Sequence, residues 1–570
     1  MAGLFSIPLA VVAIAATALL GLYRLLQIGK RDPRMPKGPK TIPILGNLHQ
    51  VPVTGLFKQF RNWSKEYGPI FTLKFGPSNV VVLCDREAIH QLLDKKGSIY
   101  SDRPYGYVGH VLTQGDQVVL SQMDASWRVK RKVIAHNFSP KQLDEKHCQV
   151  QEAEATVLMN DLLENPDGFY NHVRRYNASV FNIIVWGHRG ATFDSFWAHT
   201  VYEVMEKKLP SRPNFSRKWT EAMEPGANPP VDDFKFLRHI PAWIALWKRR
   251  ALLAENSMTS AWVKARGIVD QRRAKGNVRN SIADTVLDDY EKNGFPMTQH
   301  SVNNMLGELV QGGADTTASH LLTLILAFAK HPEVQKKAQK QLDSVCGVDR
   351  TPVWADFAEL PYINSIIKEG MRWRPAGVTG VPHRTREDDY YKGMFIPKDS
   401  TIFVGTWAIH HTDSNYTESK KFNPERYEGF NKLANDYAGS SDWKGRDKHT
   451  PSCYVLHDDG TPPEKQNRLT SCSSLHHYGY GAGRRICPGI HAAERNMWRI
   501  AAKLLWAFEF AEPLDPVTGQ VQPLDDEAYQ FGILQSPLPF RVRIKVRSEA
   551  HAAVIKAELG GAMECLSRYS

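Results

Sequence analysis

At 570 residues, with 42% hydrophobic and 23% charged residues, the chain is long enough for one large domain or several ordinary ones, and its composition excludes global disorder. The formal net charge of +12 is spread without a long Lys/Arg block. No nucleic-acid-binding module is present, which speaks against DNA or RNA as a partner. The seven cysteines (Cys84, Cys148, Cys346, Cys453, Cys472, Cys487 and Cys565) are odd in number and far apart. They form neither a zinc site nor a disulfide frame, so a reducing compartment is expected.

Residues 1–23 carry no charge, and 4–22 are mostly Ala, Val, Ile, Leu and Phe. About twenty helical residues span a hydrocarbon core of ~30 Å, so 1–24 is expected to be a transmembrane anchor. A cleaved secretory signal is the competing reading, but it would carry positive charge before the apolar run. Here Arg24, Lys30, Arg31, Arg34, Lys37 and Lys40 follow it, which places the rest of the chain on the cytosolic side. The sequons at Asn62, Asn137, Asn177, Asn214 and Asn415 are then not expected to be glycosylated. Residues 25–50 are basic and rich in proline (Pro36-Lys37-Gly38-Pro39, then Pro43), which predicts a stiff extended linker.

Residues 69–84 read as a hairpin turning at Gly76-Pro77-Ser78-Asn79, and 86–375 as mostly helical. Trp127 and Arg131 share a face at i, i+4. Arg128, Lys130 and Lys132 beside them predict a basic surface, either an ordinary solvated face or a dock for an acidic protein. The longest helix is expected from near Thr298 to the His331-Pro332 step. Within it, Gly312-Gly313-Ala314-Asp315-Thr316-Thr317 forms a weak turn, each glycine costing about 1 kcal/mol relative to Ala. On its own this turn reads as a packing notch. A second helix, 361–373, carries Glu369 and Arg372 at i, i+3, in isolation an ordinary surface pair. Short strands over 378–406 and a loop-rich stretch to 476 follow. Then come a helix at 488–508, strands to about 545, and a tail, 546–570, without strong pattern. The fold class is mainly α with small β-sheets, as one catalytic domain over 51–545.

The best-defined site is Tyr480-Gly481-Ala482-Gly483-Arg484-Arg485-Ile486-Cys487-Pro488-Gly489, entering the 488–508 helix. Pro488 suits a first helical position, which would put Cys487 at the cap. The helix dipole, Arg484 and Arg485 are then expected to favour a thiolate. Three readings stay open on these residues: a buried structural cysteine, a nucleophile with His477 or His491 as base, and a metal ligand.

Here the chain resembles the cytochrome P450 family. The family loop Phe-x-x-Gly-x-Arg-x-Cys-x-Gly is matched at Gly483, Arg485, Cys487 and Gly489, with Tyr480 in place of Phe. The resemblance implies a triangular helical body around a buried haem b, with Cys487 as axial ligand to the iron. A thiolate there favours O–O cleavage. Gly312 to Thr317 matches the dioxygen-activation signature, with Thr316 and Asp315 in the catalytic roles. Glu369, Arg372 and, in Pro424-Glu425-Arg426-Tyr427, Arg426 match a buried structural triad. Trp127, Arg131, His383 and Arg485 stand where the family meets the haem propionates; for His383 a loop histidine bonded to backbone is an equal alternative. The implied function is a monooxygenase of the endoplasmic reticulum membrane. Its electrons would come from NADPH through a separate cytochrome P450 reductase, with cytochrome b5 as a possible second donor.

Residues 448–476 interrupt a stretch, from Arg446-Asp447 to His477-Tyr478-Gly479, that related fungal members run without a break. A surface insertion or a retained intron is expected there, and 209–217 is a smaller case of the same kind. Trp373-Arg374-Pro375 and the region 487–510 resemble fungal polyketide-tailoring members such as cresol hydroxylases, implying a small hydrophobic aromatic substrate. The pocket is expected from 105–112, 309–316, 376–381 and 531–534. Two rival functions are a haem-thiolate isomerase that needs no reductase and a catalytically silent membrane-bound binding protein.

Overall fold

Apolar residues at helical spacing build most of this chain, and the strands are confined to short hairpins and edges. The computed structural model describes residues 9–206, 208–209, 212–216, 223, 228–294, 297–412, 415–434, 477–530 and 534–570. The expected insertion at 448–476, residues 210, 211 and 217 of the smaller case at 209–217, and three residues of the expected pocket, 531–533, lie outside the described residues.

The apolar N-terminus forms α1 (Leu9–Gln27), whose Ile14 and Leu19 are exposed. Among the described residues no helix is long and apolar enough to cross a membrane, which corrects the expected transmembrane helix. The described helix starts at Leu9 and takes in Arg24 and Gln27, and the start of the expected anchor lies outside the described residues. The proline-rich linker is not an extended rod either. It turns back between Ile42 and Gly46, with Ile44 at φ 66°, and pairs with the first strand. The Thr72 N–H donates to the Lys37 carbonyl at 2.9 Å, and the Lys74 N–H to Asn47 Oδ1 at 2.8 Å.

β1 (Ile70–Phe75) and β2 (Ser78–Leu83) form the expected hairpin. With β3 (His383–Arg384) and β4 (Thr401–Val404) they make a four-stranded sheet of order β1-β2-β4-β3, in which β2 and β4 run parallel. The helices that place the site are α2 (Tyr107–Thr113), α3 (Ala125–Asn137), α4 (Cys148–Glu164), α5 (Phe169–Trp186), α6 (Leu246–Ala274), α7 (Gln299–Lys330), α8 (Pro361–Trp373) and α9 (Ile490–Ala507).

α7 is the expected long helix. Thr298 caps it by accepting the Ser301 N–H at 3.1 Å, and the His331-Pro332 step ends it. Its 32 residues reach about 48 Å at the standard rise, enough to cross the domain. Two glycines let neighbours approach closely. A Cβ at Gly307 or Gly313 would sit 2.3 Å from the ring of Trp262 on α6 or of Phe181 on α5.

α9 begins at Ile490 with Gly489 as its cap, so Pro488 is not the first helical residue. The tail is not patternless. α10 (Glu549–Ser567) is capped by Ser548 and buries Ile555, Ala562 and Leu566, with Ala562 and Leu566 packed against Val150, Ala153 and Val157 of α4.

Candidate functional site

Two single 3-10 turns, Tyr478–Tyr480 and Gly483–Arg485, shape the cysteine loop. The Cys487 N–H donates to the Tyr480 carbonyl at 2.9 Å, and the Ile486 N–H to the Gly483 carbonyl at 3.1 Å. Gly483 has φ +64°, and a Cβ there would lie 2.3 Å from the Leu93 carbonyl oxygen, so only glycine fits. Its N–H donates to Asp94 Oδ1 at 2.8 Å. Gly489 differs: a Cβ there would meet the Cys487 Sγ at an ordinary 3.9 Å. What Gly489 offers the sulfur is a backbone hydrogen bond.

The electrostatics depart from the sequence expectation. Burial pushes the Cys487 thiol up, and the Gly489 N–H and Arg131 oppose it. Arg484 is exposed, and Arg485 reaches other partners. With the cap at Gly489, the helix dipole acts from further away than expected. A thiolate in this setting needs a strong cation of its own, which a coordinated metal supplies.

α3 is capped by Asp124, whose side chain accepts the Trp127 N–H at 2.8 Å. As the i, i+4 spacing predicts, Trp127 and Arg131 both face the loop. Arg131 donates to the Ile486 carbonyl, and the Arg485 guanidinium lies 4.1 Å from the centre of the Trp127 ring. Arg485 also donates to the Ser101 and Ser121 carbonyls, each at 2.8 Å. His383 opens β3 with Nδ1 donating to the Tyr100 carbonyl at 2.9 Å. That is the backbone bond of the alternative reading, and it leaves Nε2 for another partner. Lys130 does not belong to the basic surface: it is buried and paired with Asp116. Arg128, Lys132 and Arg484 remain exposed.

A residue that motif reading missed completes the cluster. Arg103 is buried and donates to the carbonyls of Val119 (3.0 Å), Val381 (2.7 Å) and Pro382 (2.8 Å). Burial, then the charges of Arg485 and Arg131, drive it well below its usual range. Burial, then Arg103, holds His383 down to about 3. Among the described residues none of Arg103, Arg131 and Arg485 has a carboxylate in salt-bridge contact. The nearby Asp102 is engaged by Arg384 at 2.6 Å. Buried cations in this state are costly unless paired. The two propionate carboxylates of haem, acceptors with one negative charge each, would offset two of these three positive charges.

On α7 the two glycines divide the expected roles. Gly313 is the packing notch under Phe181, whereas a Cβ at Gly312 would meet nothing within 4 Å. Thr316, one turn on, donates its hydroxyl to the Gly312 carbonyl at 2.5 Å, and Asp315 is buried beside it. This is a weak, partly open turn carrying a hydroxyl and a carboxyl side by side. Of the expected pocket segments, 376–381 and Leu534 come together, through a Gly377–Leu534 bridge and the Gln535 N–H donating to the Ala376 carbonyl at 2.8 Å. Val108 and Leu112 of α2 are buried.

Glu369 and Arg372 are fully buried and joined by two bonds of 2.7 Å. Arg426 adds a 3.3 Å contact to the same carboxylate. Arg372 also donates to the carbonyls of His410 (2.9 Å), Ser419 (2.8 Å) and Lys421 (3.0 Å), so the triad ties α8 to the loops over 410–426. The surface-pair reading is excluded.

The chain matches the family described as Cytochrome P450 over residues 36–543. It is 38% identical over 568 residues to "Cytochrome P450 monooxygenase acuD" of Aspergillus aculeatus, covering 99% of each chain. Identity to "Cytochrome P450 monooxygenase patI" of Aspergillus clavatus is 39% over 563 residues, 98% of each. For "Cytochrome P450 monooxygenase macC" of Penicillium terrestre it is 35% over 570 residues, again 98% of each. The chain therefore belongs to the cytochrome P450 family. It is an enzyme of that family, whose cofactor is haem.

Proposed function

We propose that this chain is a haem-thiolate monooxygenase that inserts one atom of dioxygen into a C–H bond of a small hydrophobic, aromatic polyketide-type metabolite. The observation that carries the reading is the cluster of buried Arg103 and Arg485 with half-buried Arg131 around the Cys487 loop, with no carboxylate paired to any of the three among the described residues. In this reading the Cys487 sulfur would hold the iron of haem b, and Trp127, Arg131, His383, Arg485 and Arg103 would hold its carboxylates. Bound haem would supply the reductive activation of dioxygen. Gly312 leaves room on α7, while the Thr316 hydroxyl and the Asp315 carboxyl hold and pass protons at that opening. Glu369, Arg372 and Arg426 keep the loops over 410–426 in place and take no part in chemistry.

Electrons are proposed to come from NADPH through a separate cytochrome P450 reductase, with cytochrome b5 as a second donor. The exposed Arg128, Lys132 and Arg484 offer a basic dock for an acidic partner. The exposed apolar side chains of α1 and the Lys/Arg residues after it support attachment to the endoplasmic reticulum membrane with the catalytic domain in the cytosol. The aromatic substrate class rests on likeness to polyketide-tailoring oxidases. Co-expression with a reductase and incubation with methylated phenols under isotopically labelled dioxygen tests the reading. The expected result is NADPH-dependent product carrying one labelled oxygen; NADPH-independent rearrangement without label refutes it.

A further inference from the structure

From 301 to 329 on α7, only Gly312 is exposed, and Glu308, Gly313 and Thr316 are half-buried. Glu308, Gly312 and Thr316 are four apart and share one face. An acid on that face could contact a substrate, but both oxygens of Glu308 are occupied. Oε2 accepts the Val118 N–H at 2.7 Å and Oε1 the Val119 N–H at 2.8 Å. Burial pushes the carboxyl up to about 7 against the pull of these two bonds, with Lys130, Asp116 and Arg131 the charged groups within reach.

The same short loop faces the cation cluster with its carbonyls. Arg103 donates to the Val119 oxygen at 3.0 Å, and Arg485 to those of Val118 at 3.4 Å and Ser121 at 2.8 Å. A second tie joins the loop to α7, where the Ser301 hydroxyl donates to Asp116 Oδ1 at 2.9 Å. Val118 and Val119 thus each donate their N–H to Glu308 while their carbonyls each receive a guanidinium. We propose that Glu308 is a positioning residue that fixes the 117–121 loop on α7 and thereby sets Arg103 and Arg485 where the haem carboxylates would meet them. This rests on the haem site proposed above.

The test compares holoenzyme of wild type, Glu308→Gln and Glu308→Ala by hydrogen exchange at the Val118 and Val119 amides and by the rate of haem transfer to apomyoglobin. Glu308→Ala is expected to speed exchange at those two amides and to speed haem transfer about tenfold, the scale of a lost outer-shell partner. Glu308→Gln, which keeps one acceptor oxygen, should recover part of both, and the thiolate signature of the reduced, CO-bound protein should persist in both variants. If the alanine variant does not fold, the glutamine variant alone must show faster exchange at 118 or 119 and faster haem transfer. Exchange and transfer as in wild type overturn the proposal. So does a lower thermal midpoint with exchange raised uniformly along the chain and transfer unchanged. A wild type that binds no haem refutes the site instead, and amide exchange at 118 and 119 still decides whether Glu308 holds the loop.

Discussion

The guanidinium of Arg485 lies 4.1 Å from the centre of the Trp127 ring, so two residues 358 positions apart form a cation–π pair at the edge of the cysteine loop. Such a contact is worth about 1 kcal/mol in a partly desolvated setting. Trp127→Ala should therefore release haem roughly fivefold faster than wild type, while Trp127→Phe keeps a ring face and most of the effect. Haem transfer to apomyoglobin measures it; equal rates in the alanine variant would show that the ring does not steady Arg485.

Gly312 and Gly313 are adjacent, yet alanine should act oppositely at the two. A Cβ at 313 would lie 2.3 Å from Phe181, so Gly313→Ala overpacks the α5–α7 contact and should cost about 1–3 kcal/mol. A Cβ at 312 meets nothing, so Gly312→Ala should leave stability unchanged or raise it by up to about 1 kcal/mol through helix propensity. Its methyl fills the open turn beside Thr316 and should lower product formed per NADPH consumed. Thermal unfolding and product-to-NADPH ratios check both halves. A stable Gly313→Ala or an unstable Gly312→Ala would reverse the assignment.

Breaking the Glu369–Arg372 pair leaves one charge buried without its partner. Glu369→Gln should cost about 3–5 kcal/mol, enough to abolish soluble holoenzyme. Arg426→Lys should cost only about 1 kcal/mol, since Arg426 touches Glu369 at 3.3 Å and keeps some solvent access. Soluble yield and thermal midpoints rank the two, and similar losses would contradict a pair-centred lock.

His320 on α7 is fully buried against Gly370, with neither ring nitrogen hydrogen-bonded, and burial lowers it from 6.5 to about 3. The folded protein keeps the ring neutral while the unfolded chain takes up a proton. Stability from this group is therefore complete above about pH 6.5 and is lost as pH falls towards 3. At about pH 5 the loss should reach about 2 kcal/mol. His320→Leu removes it, so the stability gap between variant and wild type should widen by that amount from about pH 8 to pH 5 in denaturant titrations. A constant gap would show that His320 does not titrate as a buried neutral ring.

Much of this architecture is legible in the residues, because α7, α8 and the β1–β2 hairpin have strong local periodicity and sharp ends such as Thr298 and Pro332. Cys487, Glu369, Arg372, Trp127 and Arg131 could be found through the resemblance to short family motifs; on spacing alone Glu369 and Arg372 read as an ordinary surface pair. Arg103 and Glu308 could not, because their importance arises from partners at Val119, Val381 and Val118 that the fold brings together. The Cys487 thiol departs from the expectation because a two-residue shift of the cap, from Cys487 to Gly489, weakens the dipole argument and burial then dominates. The α10 helix had a signal in Ile555, Leu559, Ala562 and Leu566, but Gly560-Gly561 in its middle obscured it.

The reduced, CO-bound absorption spectrum of the purified chain and of its Cys487→Ser variant tests the central claim most directly. The wild type should show the red-shifted Soret band of thiolate-ligated haem, and the serine variant should lose that band along with turnover. A wild type without the band, or a serine variant that keeps it, would contradict Cys487 as the iron ligand.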